Sequence, residues 1–234
     1  MEMIVKTTYE EMSREVLHIF TDRMEDSHVL GFATGNTPTL LYKMLSEECK
    51  RGKISFKGKS SFNLDEYFPV YPDDAESYRR YMQDNLFNHI DMEQDMINFP
   101  DATLPEDEAV STYKEAYSRN GPIDLQILGI GVNGHIAFNE PGSEVDSTIR
   151  IVNLSKQTMK RNNTLKERAI TMGMKEILES RSIMLMASGK DKSEALRMAV
   201  GGDMDEYVPA SFLKLHKDVT IIADRAAACS LPTR

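Results

Sequence analysis

The sequence predicts an α/β fold, a doubly wound, mostly parallel sheet with helices on both faces. Two observations carry this. The short apolar runs 29–33, 125–128, 183–187 and 219–223 have the length and composition of strands buried on both sides. Segments with apolar residues at helical spacing alternate with them, as in successive strand–helix units.

Taken in order, residues 3–6 suit a short edge strand. Thr8 then caps a helix over 9–23, with Met12, Val16, Leu17 and Phe20 on one face. The strand 29–33 runs into Thr34, Gly35, Asn36, Thr37 and Pro38, and a helix follows over 39–51. A strand, a small-residue loop and a helix start together aim backbone N–H groups and a helix dipole at an anion. The turn lacks the Lys-Ser/Thr of a Walker loop, and taken alone it reads equally as an N-cap turn.

A third strand over 60–64 ends in Asp65, Glu66 and Tyr67. Adjacent carboxylates point to opposite sides of an extended backbone, so Glu66 is expected to be structural. Residues 77–89 predict an amphipathic helix with Tyr78, Tyr81, Met82 and Leu86 as apolar anchors, and His89 near its end as a dipole partner. Residues 97–99 suit a short strand. Pro105 opens a helix over 106–119 that Asn120 and Gly121 close.

The strand 124–130 then meets the most informative stretch, 129–142, reading GIGVNGHIAFNEPG. Its four glycines break the strand and turn the backbone tightly around Asn133, His135, Asn139 and Glu140. A histidine and a carboxylate past the carboxyl end of a strand occupy the place where open α/β sheets bind ligands. Gly129, Gly131 and Gly134 have the G-x-G-x-x-G spacing of a dinucleotide fingerprint, but the Asp or Glu that should end a strand about 20 residues on is absent.

After this loop, 150–154, 170–173, 183–187 and 219–223 suit strands, with a helix over 174–180 and another running from about Lys192 to Val200. Residues 156–168 are polar and basic with few apolar anchors, which suits a flap over the site at about 155–168. Residues 209–216, PASFLKLH, predict one further helix. Most of the 15 methionines, such as Met184 and Met186, take core positions as soft packing.

The stretch 129–142 resembles the loop of the glucosamine-6-phosphate deaminases, also called isomerases. Gly129, Gly131, Asn133, Gly134, His135, Asn139, Glu140 and Pro141 fit the family pattern G-x-G-x-[DN]-G-H-x-x-x-N-E-P. Asn63 to Tyr67 fit N-x-D-E-Y, and Thr34 to Pro38 fit T-G-x-T-P. The sister 6-phosphogluconolactonases share the glycine–histidine half but continue S-L-F-P-G, where this chain has the Asn139–Glu140 pair.

The resemblance implies a modified Rossmann-like fold and a site. In it Asp65 moves the C2 proton, and His135, held by Glu140 and Asn133, opens the sugar ring. Thr34, Gly35, Asn36, Thr37 and Lys192 bind the phosphate. Two departures stand out. Asn133 stands where many members have Asp, so it can orient but adds no charge. The flap arginine of the glucosamine enzymes aligns with Thr164, and Arg161 is the nearest candidate for its contact. This flap and the 209–213 segment resemble the galactosamine-6-phosphate isomerase branch, so the C4 epimer competes as substrate.

The chemistry suits those residue types. Histidine exchanges protons near neutral pH, as ring opening needs. A carboxylate can take the C2 proton, and the resulting ketimine is hydrolysed with loss of ammonia. No step calls for a cofactor, and no cluster has metal-ligand spacing. A lactone hydrolase would leave Asp65 without a task. A sugar-phosphate-sensing regulator would need a helix-turn-helix before Val29, where the chain is too short.

At 234 residues and 41% hydrophobic, the chain suits one domain over 1–234. A net charge of −9 excludes nucleic acid or an anionic membrane as the expected partner. A small amino sugar phosphate needs only local positive charge, and a homo-oligomer is compatible with the sequence. Cys49 and Cys229 read as reduced thiols. With no leader pattern and no run of the ~20 apolar residues that span a bilayer, a cytoplasmic location is expected.

Overall fold

The structure, a computed structural model, describes residues 1–232. Its centre is a seven-stranded sheet in which every neighbouring pair is parallel. The strands in chain order are β1 (Glu2–Lys6), β2 (Val29–Phe32), β3 (Ser60–Asn63), β5 (Ile97–Asn98), β6 (Leu125–Gly129), β9 (Ser182–Ala187) and β10 (Val219–Asp224). In space they run β1-β10-β9-β6-β2-β3-β5.

Period-two alternation sorts their side chains between two cores. Leu125 and Ile127 of β6, Met184 and Met186 of β9 and Ile222 of β10 enter one cluster. That cluster is covered by α1 (Tyr9–Met24), α2 (Thr39–Lys50) and α3 (Tyr78–Asn85). Leu128, Ile183, Leu185 and Ile221 enter the other. It is covered by α4 (Glu106–Asn120), α6 (Met174–Leu178) and α7 (Ser193–Gly201). The doubly wound arrangement therefore follows from strands that are apolar on both sides.

Local signals place several elements as expected. Thr8 Oγ1 accepts from Glu11 N at 3.2 Å and caps α1. Pro105 precedes α4 and Gly121 follows it. Among the described residues, strand β1 is an edge strand, paired only with β10.

Four details differ from the sequence reading. Helix α3 ends at Asn85, because Leu86 leaves helical geometry at φ −138°, and a 3₁₀ turn over Phe87–His89 follows. The segment Pro209–Leu215 is a 3₁₀ helix rather than an α-helix. Strand β8 (Arg168–Thr171) begins two residues before the expected 170–173 strand. It belongs to a second, antiparallel sheet, β4 (Asp65–Tyr67), β8 and β7 (Arg150–Asn153), in the order β4-β8-β7. Between β7 and β8 the basic segment forms the helix α5 (Lys156–Asn162), with Ser155 as its cap. Among the described residues no helix is long and apolar enough to cross a membrane.

Candidate active site

The sheet order fixes where a site can form. Strands β2 and β6 are neighbours, yet the chain leaves β2 toward β3 and β5 before returning to β6 on the other side. That reversal opens a crevice past the carboxyl ends of the strands. Loops from four adjacent strands, β9, β6, β2 and β3, converge on it. They line a cleft of about 560 Å³ that brings together Thr34, Gly35, Asn36, Thr37, Asp65, Asn133, His135, Arg161 and Lys192. Glu140 does not line the cleft and stands directly behind His135.

The loop after β2 is held by its carbonyls. Tyr81 Oη donates to Gly35 O at 2.7 Å, and Tyr9 Oη lies 3.0 Å from Thr37 O. Gly35 sits at φ +103°, a conformation that a side chain resists. Among the described residues, no acceptor of the chain is bonded to the N–H groups of Gly35, Asn36 or Thr37. A row of free N–H groups at the entrance to α2 is an anion cradle.

Two cations face it. Asp224, at the end of β10, accepts from Ser188 Oγ at 2.6 Å and from Gly189 N, which shapes the turn carrying Lys192. Lys192 Nζ then donates to Ile130 O at 2.7 Å. Burial and the neighbouring Arg161 guanidinium pull Lys192 down to about 8, against the pull of Asp191. Arg161 comes from α5 and is paired with Asp191. Lys192 is thus the desolvated cation of the two, while Arg161 stays partly exposed with its charge met by Asp191.

Asp65 lies where β3 passes into β4 and is 6% exposed. Its burial, reinforced by the adjacent Glu66 charge, raises the carboxyl to about 8. No donor of the described chain bonds to it, so its oxygens remain available to the cleft. Glu66 points the other way. It accepts from Tyr67 N, Ser77 Oγ, Tyr78 N and Arg79 N, all at 2.8–2.9 Å, and so anchors the start of α3. That matches its structural reading.

The loop after β6 folds onto itself, with Gly131 N donating to His135 O at 2.9 Å. A Cβ on Gly131 would stand 2.4 Å from the imidazole, so only glycine lets the ring lie across the backbone. His135 Nδ1 lies 3.8 Å from Glu140 Oε2, an ion-pair separation longer than a hydrogen bond. Asn133 Nδ2 donates to that same oxygen at 2.8 Å, and Asn133 Oδ1 accepts from the His135 backbone N at 3.3 Å. The other oxygen, Oε1, accepts from Ser155 Oγ at 3.2 Å and from Thr158 Oγ1. Burial works to raise the Glu140 carboxyl. The facing imidazole, Thr158 and Asn133 outweigh it and hold the group at about 2. Buried Asn139 braces the loop, donating to Met172 O at 2.8 Å and accepting from Arg150 at 2.9 Å.

Sequence patterning missed part of this wall. Tyr67, Tyr78 and Phe138 pack together beside the cleft, and Tyr78 lines it rather than serving only as an apolar anchor. Asn162 Nδ2 donates to Tyr67 Oη at 3.0 Å, tying α5 to this wall. The segment 156–162 has few apolar anchors because its anchors are polar. The position of the family's flap arginine, Thr164, is turned inward, and Thr164 Oγ1 accepts from Lys166 N at 3.0 Å.

A family model described as glucosamine-6-phosphate isomerases/6-phosphogluconolactonase matches residues 5–222. Among curated relatives, the glucosamine-6-phosphate deaminase of Thermoanaerobacter sp. (strain X514) is 40% identical over 242 residues, covering 99% of this chain and 96% of that protein. The deaminase of Clostridium botulinum (strain Langeland / NCTC 10281 / Type F) is 40% identical over 241 residues, covering 99% of each. A solved structure of a monomeric glucosamine-6-phosphate deaminase superposes with a TM-score of 0.95 at 38% identity, over 98% of this chain and 100% of that one. The 6-phosphogluconolactonase from Trypanosoma cruzi matches with a TM-score of 0.84 at 21% identity, over 99% and 97%, a likeness of fold alone.

Proposed function

The chain belongs to the family of glucosamine-6-phosphate isomerases and 6-phosphogluconolactonases, and on that premise we propose that it converts glucosamine 6-phosphate to the ketohexose 6-phosphate and ammonia. The observation that carries this is one cleft lined by both a buried carboxyl without a partner, Asp65, and His135, which Glu140 backs, with an anion cradle beside them. A lactone hydrolase would have no use for Asp65.

In this reading the phosphate lies against the N–H groups of Gly35, Asn36 and Thr37, between Lys192 and Arg161. His135 gives a proton to the ring oxygen and takes the O1 proton in its place, and Glu140, held by Asn133, keeps the imidazole in place. Asp65 takes the C2 proton, giving an enolamine. Reprotonation at C1 gives a ketimine. Water adds to C2 and ammonia leaves. Holding the phosphate fixes the reacting carbons against both groups, and much of the rate comes from that positioning.

The whole of 1–234 acts as one catalytic domain, with 155–168 as its flap. Galactosamine 6-phosphate is the second substrate of this reading. The arginine-free position 164 and the 209–215 segment favour it, and that segment supports the histidine loop through Ala210 N to Gly134 O at 2.9 Å. We place the enzyme in the cytoplasm, since a charged sugar phosphate does not cross a bilayer unaided. The test is ammonia release from each of the two amino sugar phosphates. Release from neither would sink the reading, and the ratio of kcat/KM values assigns the epimer.

A further inference from the structure

The Glu140 carboxylate has two ends with different neighbours. Oε2 faces His135 and Asn133. Among the described residues, Oε1 is held only by hydroxyls from the start of α5, Ser155 at 3.2 Å and Thr158. Ser155 has one proton for two acceptors, because its Oγ also lies 3.1 Å from Thr158 Oγ1. It is occupied as well as the helix cap, accepting from Thr158 N at 3.1 Å. Thr158 is therefore the firmer donor, and it is 3% exposed, so its hydroxyl has no water to turn to.

The same helix reaches the other end of the cleft. One turn after Thr158, Arg161 pairs with Asp191 beside Lys192, and Asn162 donates to Tyr67 Oη at 3.0 Å. Helix α5 is thus fastened at its first turn to the carboxylate behind His135 and at its last turn to the anion cradle.

Resting on the deamination reading above, we infer that Thr158 is a positioning residue: its hydroxyl fixes Glu140 against His135, so that proton transfer in ring opening depends on how α5 is seated. It acts through Glu140 and takes no proton from the sugar. A threonine buried only for packing would be replaced by valine without kinetic effect, since the two side chains have the same shape. A hydroxyl that orients a charge cannot be replaced so, and the strength of such a charge-assisted bond exceeds that of a neutral one.

The experiment measures ammonia release from glucosamine 6-phosphate by wild type, Thr158→Val and Thr158→Ser between pH 5 and 9. Thr158→Val should lower kcat about tenfold to a hundredfold, part of what general acid–base catalysis contributes, with KM within about threefold. Thr158→Ser should restore kcat to within about threefold, since it keeps the hydroxyl. Wild-type kcat in Thr158→Val would overturn the inference. So would a loss that Thr158→Ser does not restore, or a rise in KM alone, which would place Thr158 in the phosphate grip. If Thr158→Val melts below the assay temperature, Thr158→Ala is read in the same way. Failure of the deamination reading looks different, because wild type itself would then release no ammonia.

Discussion

Asn133 holds Glu140 rather than the His135 ring. Its amide nitrogen donates to Glu140 Oε2 at 2.8 Å, and its oxygen is taken by the His135 backbone N–H. The residue thus works on the imidazole at one remove, by fixing the carboxylate that faces it. Asn133→Asp would set two carboxylates where one now sits, and like charges at that distance share a proton. Glu140 should then leave its value of about 2 and rise. The expected outcome is an acid limb of kcat displaced to higher pH, with a larger loss at pH 6 than at pH 8. A pH–rate profile checks it, and an unmoved acid limb would remove Asn133 from the working pair.

Asp65 trades stability for chemistry. Its carboxyl titrates at about 8 instead of 3.8, through burial first and the Glu66 charge second. The unfolded chain ionises this group near its ordinary value, while the folded chain keeps the proton until about pH 8. Wild-type stability therefore falls as pH rises between these values, by on the order of 5 kcal/mol in all. Asparagine has no such titration. Asp65→Asn should lower ammonia release by about 10²- to 10⁴-fold while its Tm advantage over wild type grows from pH 5 to pH 8 and then levels. Thermal unfolding across pH, read beside kcat, checks both, and a variant with wild-type turnover would end the assignment of the C2 proton to Asp65.

Much of this architecture is legible in the sequence, and the reason is physical. Strands apolar on both sides, such as β6 and β9, announce burial in the sheet centre. Glycines at 131 and 134 announce a turn that other residues resist. Patterning reports burial and backbone freedom, however, and says little about polar contacts between distant segments. Asp65–Tyr67 pairs with Arg168–Thr171 across a long stretch of chain, and its acidic residues carry no strand signal, so the small antiparallel sheet went unseen. Thr158, Asn162 and Asp224 matter through a few side-chain hydrogen bonds, which no periodicity encodes. Tyr78 is both apolar enough to read as a helix anchor and polar enough to face the cleft.

Lys192 is poised for an anion. Burial and Arg161 hold it near 8, below its ordinary 10.5. A phosphate binds the protonated form, so bound substrate should push this value up and KM should rise as pH passes about 8. Lys192→Ala should raise KM by about tenfold to a hundredfold, the value of one charge-assisted contact of roughly 1.5–3 kcal/mol. The same change should flatten the alkaline rise in KM and weaken its dependence on salt. Arg161→Ala should raise KM less, because that side chain is already paired with Asp191. Unphosphorylated glucosamine serves as the control, and equal losses on it would move Lys192 out of the phosphate site.

The last prediction separates ring opening from the later proton transfers. His135 and Asp65 enter the same cleft from different strands, so each can be removed without displacing the other. Ring opening comes first and needs a group that both gives and takes a proton, which glutamine cannot do. His135→Gln should cost kcat about 10²- to 10⁴-fold on the cyclic substrate, the usual worth of a positioned acid–base group. An acyclic phosphorylated analogue with the same C1 and C2 should lose far less, because it enters after the step that His135 serves. Glu140→Gln should show the same pattern more weakly, because it removes the charge that faces the His135 imidazole. The measurement is a pair of pH–rate profiles for each variant, one on each substrate. Equal damage to both substrates in His135→Gln would assign the imidazole to the C1–C2 proton transfers, and the ring would then have to open by another group.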